Sequence, residues 1–354
     1  MFDINLINML LLCMLGAFIV SFLICLIAGP YLIKALHKLK YGQSIRLDGP
    51  ETHLKKQGTP TMGGVMIILA VVVSVLLFAP LNSLNLWLSL FVFIGFGAVG
   101  FVDDYLKIKR KNSDGLSAKQ KYLALSLVSL IPIFILYFGT DREINYILNI
   151  PLFSWQPYIG FLFIPLAYFT VVGASNAVNL TDGLDGLAII PTLFCAVGFG
   201  LISLQLGLID SFMLQESFDT LSLTVLCSAL AGACIGFFVF NCYPAQIFMG
   251  DVGSLALGGL LGFLAVLVRQ EILLVIMGGV FVVECLSSAI QMLWFKYTKR
   301  KYGEGRRVFL MAPLHHHYEK KGYAETKVIA RFWVAAFLLL LTSLVIYFSG
   351  FKII

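Results

Sequence analysis

Long apolar runs separated by short polar stretches dominate the chain, and the runs set the architecture. They are continuous, with no residue-by-residue alternation, and most are near ~20 residues, the length a helix needs to cross a bilayer. Strands of a membrane barrel would read as alternating segments of ~10 residues. With no water in the hydrocarbon to satisfy backbone groups, these spans must be helices. The pattern predicts about ten, over residues 6–29, 62–81, 86–104, 122–140, 157–175, 186–206, 221–240, 247–268, 271–293 and 331–351. Gly and Pro interrupt the edges of the fifth and eighth. The first run lacks a basic segment before it and a small-residue cleavage site, and it leads into Lys34, Lys38 and Lys40; it reads as an uncleaved span. The expected fold is an all-α integral membrane protein, one polytopic domain over 1–354 without internal repeats.

Composition agrees. Charged residues make up 12% of the 354 positions and hydrophobic ones 59%, whereas a soluble domain carries about 25% charge. Lipid must be the solvent for most of the surface. Ten spans put alternate loops on opposite sides, and the charges separate accordingly. Of the 25 basic residues, 22 fall in the loops from Lys34 to Lys56, Lys107 to Lys121 and Lys296 to Arg331. The other side holds Arg142, Arg269 and Lys352 among several acids. The positive-inside rule then predicts both termini in the periplasm and the basic loops in the cytoplasm. The +6 net charge reflects this orientation and does not call for nucleic acid. On the outer side, Asn149 and Pro151 between β-prone stretches of 144–155 suggest a short hairpin. Six of the seven cysteines lie inside apolar runs and Cys242 at a loop edge, without metal-binding spacing, which suits helix packing.

The polar motifs fall on the basic side, in loops near 30–61, 103–121, 176–186, 241–254 and 294–330. Asp103 and Asp104 end the third predicted span, where the helix dipole disfavours carboxylates. A cation such as Mg²⁺ or nearby lysines would offset that cost; a plain interfacial stop signal is the simpler alternative. Asn179, Thr181, Asp182 and Asp185 cluster among Gly183 and Gly186. An N-cap accounts for one of these residues but not for the set. Asp251 sits between Gly250 and Gly253 at a helix start, where a carboxylate can hold Mg²⁺ and with it phosphates. No P-loop or HExxH motif occurs. His315, His316 and His317 follow Pro313, as in the first turn of a short helix. Three adjacent histidines cannot share one zinc, so phosphate contact or a solvated patch are the readings that remain. Glu284 lies deep in the ninth span, as a helix-pairing group or a break.

The segments HLKKQGTPTMGG (from His53), FVDDYLKI, NLTDGLDGLA, FMGDVGSLALGG and PLHHHYEKKG occur in one order along the chain. In these it resembles the phospho-N-acetylmuramoyl-pentapeptide transferases of the polyprenyl-phosphate N-acetylhexosamine-1-phosphate transferase superfamily. The resemblance implies transfer of phospho-MurNAc-pentapeptide from UDP-MurNAc-pentapeptide to undecaprenyl phosphate, giving lipid I and UMP with Mg²⁺ as cofactor, in a homodimer of the inner membrane. It assigns catalysis to Asp103, Asp104, Asp251 and His315, with Asp251 and Asp104 on the metal. Lys56, Thr61, Asn179, Asp182, Asp185, Asn241 and Phe248 would bind the nucleotide-sugar, and Lys119, His316 and His317 its phosphates. A relative using UDP-GlcNAc is the enzyme alternative. A secondary transporter is the other, and it is disfavoured because transporters cluster ionisable groups near the midplane.

Overall fold

The computed structural model describes residues 4–39, 58–110, 115–140, 146–151, 153, 155–214 and 218–350. They form α1 (Ile4–Lys38), α2 (Gly64–Phe78), α3 (Leu84–Arg110), α4 (Ala118–Phe138), α5 (Phe163–Thr181) and α6 (Ile189–Leu214). These are followed by α7 (Phe218–Asn241), α8 (Gly250–Leu267), α9 (Glu271–Met277), α10 (Gly279–Tyr302), α11 (Leu314–Lys320) and α12 (Glu325–Gly350). Among the described residues nine helices are long and apolar enough to span a membrane; α2, with 15 residues, is the shorter tenth. The all-helical membrane architecture and the span count agree with the hydropathy pattern.

α8 is the hub, buried along nearly its whole length between α3, α5 and α2. Small residues allow this approach. A Cβ on Gly258 would lie 2.6 Å from the Ala174 carbonyl oxygen, one on Gly262 2.7 Å from Val171 Cα, and one on Gly259 2.6 Å from the Phe96 ring. At the site end the helices come closer still. A Cβ on Gly100 of α3 would stand 2.2 Å from the Asp251 carbonyl oxygen, and one on Gly64 of α2 2.1 Å from the Gly253 nitrogen.

Several element ends differ from the apolar pattern. α3 continues past Asp104 to Arg110, so the two aspartates sit inside a helix whose last turn carries Lys107, Lys109 and Arg110. Basic residues complement the dipole there and let the helix run beyond its apolar stretch. α5 likewise runs to Thr181, carrying Asn179 in its last turn. The ninth predicted span breaks at Gly278, not at Glu284, and α10 then extends to Tyr302. The hairpin expected over 144–155 reaches into the start of the fifth predicted span: Ile147 and Tyr158 form an antiparallel bridge, isolated among the described residues, and α5 starts only at Phe163. The Leu148 and Ile159 N–H groups donate to the Pro157 and Tyr146 carbonyls at 3.0 and 2.6 Å. Arg269 clamps this loop by donating to the Ile147 carbonyl while pairing with Glu271 at 2.6 Å.

Candidate active site

Three carboxylates meet at the junction of α3 and α8. Asp103 and Asp104 are buried in α3, Asp251 occupies the first turn of α8, and one ligand atom from each lies within 4.8 Å of the others. All three donors are hard oxygens, the set that suits Mg²⁺ or a similar divalent ion. Two lysines balance the charge. Lys107 Nζ stands 2.6 Å from Asp103 Oδ2, 2.9 Å from Asp251 Oδ2 and 3.5 Å from Asp104 Oδ1. Lys121, on the first turns of α4, reaches Asp251 Oδ2 at 2.7 Å. The ammonium stands at the point where the carboxylates converge, held by their combined negative charge.

Backbone groups fix the acids. Asp103 Oδ1 accepts the Leu116 N–H at 2.8 Å, and Asp104 Oδ2 that of Val252 at 3.3 Å. Asn179 Nδ2 donates to Asp251 Oδ1 at 2.7 Å and to Ser254 Oγ at 2.8 Å, joining α5 to the cluster. Thr61 is buried against Gly250, whose φ of 72° places it in the left-handed region where glycine is preferred. Residues 60–64 pair with 248–249 through the backbone: Phe248 N–H donates to the Pro60 carbonyl, and the Gly63 and Gly64 N–H groups to those of Phe248 and Met249. The half-buried Phe248 ring is therefore carried on a doubly anchored segment.

The turn between α5 and α6 carries Asp182 and Asp185. Asp185 is buried, and its Oδ2 accepts the Ala245 N–H at 2.9 Å. Asn241 spans the same joint, accepting from Gly186 N–H at 3.1 Å and donating to the Ile247 carbonyl at 2.9 Å. Glu325, at the start of α12, accepts the Asp185 N–H at 3.2 Å, and Trp333 Nε1 donates to the Gly186 carbonyl at 3.1 Å. Burial pushes the Asp182 carboxyl well above the usual carboxylate range, and the Asp251, Asp104 and Asp185 charges push the same way.

The histidines start α11, which returns along α10. Polar side chains at seven-residue intervals on one face of α10 capture this returning segment. Thr298 Oγ1 accepts from Arg306 N–H, Gln291 Oε1 from Val308 and Phe309 N–H, and Glu284 Oε1 from His315 N–H. His315 is buried, with its Nδ1 3.0 Å from Glu284 Oε2. His316 Nδ1 lies 2.8 Å from Glu319 Oε2. His317 Nδ1 accepts from Leu310 N–H at 3.1 Å; burial and then the Lys321 charge push its imidazole toward the neutral form.

Most of the residues singled out in the sequence thus converge. Lys119 is exposed on α4, and Lys56 lies outside the described residues. On sequence alone a positive-inside loop accounts for Lys107 and Lys121, although Lys107 at i+4 from Asp103 is a legible helix pair. Glu284 has no partner legible in the sequence, because His315 is remote along the chain.

The family model for glycosyl transferase family 4 matches residues 86–269, from α3 through α8, and so covers every acid of the cluster. Phospho-N-acetylmuramoyl-pentapeptide-transferase signature 1 matches residues 56–68, the segment that pairs with Phe248 and Met249 beside Asp251. Since the family's own stretch is the one that builds the acidic junction, the chain belongs to glycosyl transferase family 4, as a membrane-embedded phospho-sugar transferase bearing the phospho-N-acetylmuramoyl-pentapeptide-transferase signature.

Proposed function

We propose that this protein transfers phospho-MurNAc-pentapeptide from UDP-MurNAc-pentapeptide to undecaprenyl phosphate at the cytoplasmic face of the bacterial inner membrane, releasing UMP and forming lipid I. The observation that carries this reading is the meeting of Asp103, Asp104 and Asp251 at membrane-helix ends, next to a segment bearing the signature of that transferase. A charged nucleotide substrate needs a site open to water, and a lipid phosphate needs one at the bilayer edge. Helix ends at an interface serve both.

Asp251 and Asp104 would hold Mg²⁺, with Asp103 beside them. When bound, the ion supplies charge neutralisation to the diphosphate and to the UMP leaving group. Asp103 orients or deprotonates the attacking lipid phosphate, whose oxygen forms the new bond to the sugar-bearing phosphorus as the bond to the UMP oxygen breaks. Lys107 and Lys121 offer phosphate-binding charge at the same point. Asn179 steadies Asp251, while Asp182, Asp185, Asn241, Thr61 and Phe248 shape the nucleotide-sugar pocket, with Lys56, Lys119, His316 and His317 toward phosphates. A two-step route through a phospho-aspartate is the competing scheme. By family resemblance the working assembly is a homodimer.

The deciding experiment supplies purified protein with undecaprenyl phosphate and either UDP-MurNAc-pentapeptide or UDP-GlcNAc. Lipid I and UMP should form from the first alone, and EDTA should abolish the reaction until Mg²⁺ is restored. Turnover of UDP-GlcNAc would instead establish the other branch, and a trapped covalent phospho-MurNAc-enzyme would rule out direct displacement.

A further inference from the structure

Glu284 is fully buried in the second turn of α10, and both of its carboxylate oxygens are committed to one residue. Oε1 accepts the backbone N–H of His315 at 3.1 Å, and Oε2 meets His315 Nδ1 at 3.0 Å. A carboxylate gripping both the main chain and the ring of one histidine fixes that ring in position and in orientation. With Glu284 as the acceptor, Nδ1 carries the shared proton. Nε2 is then the ring atom left for other work, and it is buried with no hydrogen-bond partner among the described residues. It faces the turn that carries Asp182 and Asp185: a Cβ on Gly183 would lie 2.3 Å from it. A glutamate serving only to pair helices would have no need to engage the ring.

We propose that Glu284 is a positioning residue acting through His315, holding the imidazole in its Nδ1–H form so that Nε2 is the group offered to the donor substrate at the 182–185 turn. This rests on the transferase reading above. The test is Glu284→Gln, which has the same shape. Its amide oxygen can keep the His315 backbone bond, but its NH₂ then faces Nδ1 and drives the ring proton to Nε2. Loss of a carboxylate behind a working histidine costs on the order of 10²–10⁴-fold in turnover. The expected result is a fall in kcat of about 10²-fold or more with KM for the nucleotide-sugar little changed and the melting temperature retained. Glu284→Asp, which keeps the carboxylate, should recover part of the loss.

In a His315→Gln background the Glu284→Gln change should cost nothing further, because its route to the substrate is gone. Histidine ¹⁵N NMR should report the Nδ1–H form of His315 in the parent protein and the Nε2–H form in Glu284→Gln. Equal losses in both backgrounds, or an unchanged tautomer, would overturn the inference. Should the parent protein release no UMP from any UDP-sugar, the transferase reading is what fails, and the tautomer measurement alone then decides the Glu284–His315 pairing.

Discussion

At the scale of single residues, Asp251 ties three elements together, with Lys107 and Lys121 on Oδ2 and Asn179 on Oδ1. Asp251→Asn keeps the volume but removes the charge that gathers them. It is expected to lower kcat by about 10³-fold, with the loss not recovered by added Mg²⁺, as a radiolabelled UMP-release assay would measure. Asp182 gives a second expectation with a defined sign. Its carboxyl binds protons more tightly in the fold than in the unfolded chain, chiefly through burial. Such a group favours the folded state in acid and loses that contribution as pH rises above the ordinary carboxylate range. Asp182→Asn should therefore raise the melting temperature at pH 7 by about 2–4 °C. The gain should shrink as pH falls toward 4, and a pH series of melting curves in detergent would reveal a gain that stays constant instead.

At the scale of helices, the N-terminus of α8 sits in a cradle without room for a methyl group. Gly100→Ala would drive a Cβ to 2.2 Å from the Asp251 carbonyl oxygen, so α3 or α8 must shift. A displacement of ~1 Å at a catalytic group costs about 10²-fold in rate. The mutant should lose activity on that scale while Gly95→Ala, which meets the Val128 side chain instead, loses far less; parallel kinetics of the two variants would check this. This cradle explains what the sequence could and could not display. The spans were legible because lipid imposes continuous apolar runs, and the aspartates because carboxylates at membrane edges are costly without a function. The true ends of α3 and α5 were not, because an apolar-run reading stops where polar residues take over, whereas YLKIKR and NAVNLT continue the helix into the interface. Lys121 was hidden among lysines that topology already demands, and only the fold turns it toward Asp251.

At the scale of the whole molecule, the segregated charges predict one orientation for the bundle. Cysteines placed at Asn82, between α2 and α3, and at Glu304, after α10, lie on opposite sides of the chain's alternation and are both exposed. In intact cells a membrane-impermeant thiol reagent should label Asn82→Cys and spare Glu304→Cys, which reacts only after permeabilisation. The reverse pattern would turn the acidic junction to the periplasm and remove its access to a cytoplasmic nucleotide. The same architecture argues against a transport pathway. The deepest acid of α10, Glu284, is tied to the histidine segment and not to a partner at mid-span.

The row of Thr298, Gln291 and Glu284 works as a ruler laid against the returning polypeptide. Its marks are two helical turns apart, about 10 Å each, and every mark grips a main-chain amide, so it fixes position without regard to side-chain identity. The tip after Tyr302 projects past the last mark. The six-residue step from Phe309 to His315 covers one interval, about half of its extended reach, so the grip of Glu284 and not a taut chain decides where the histidines seat.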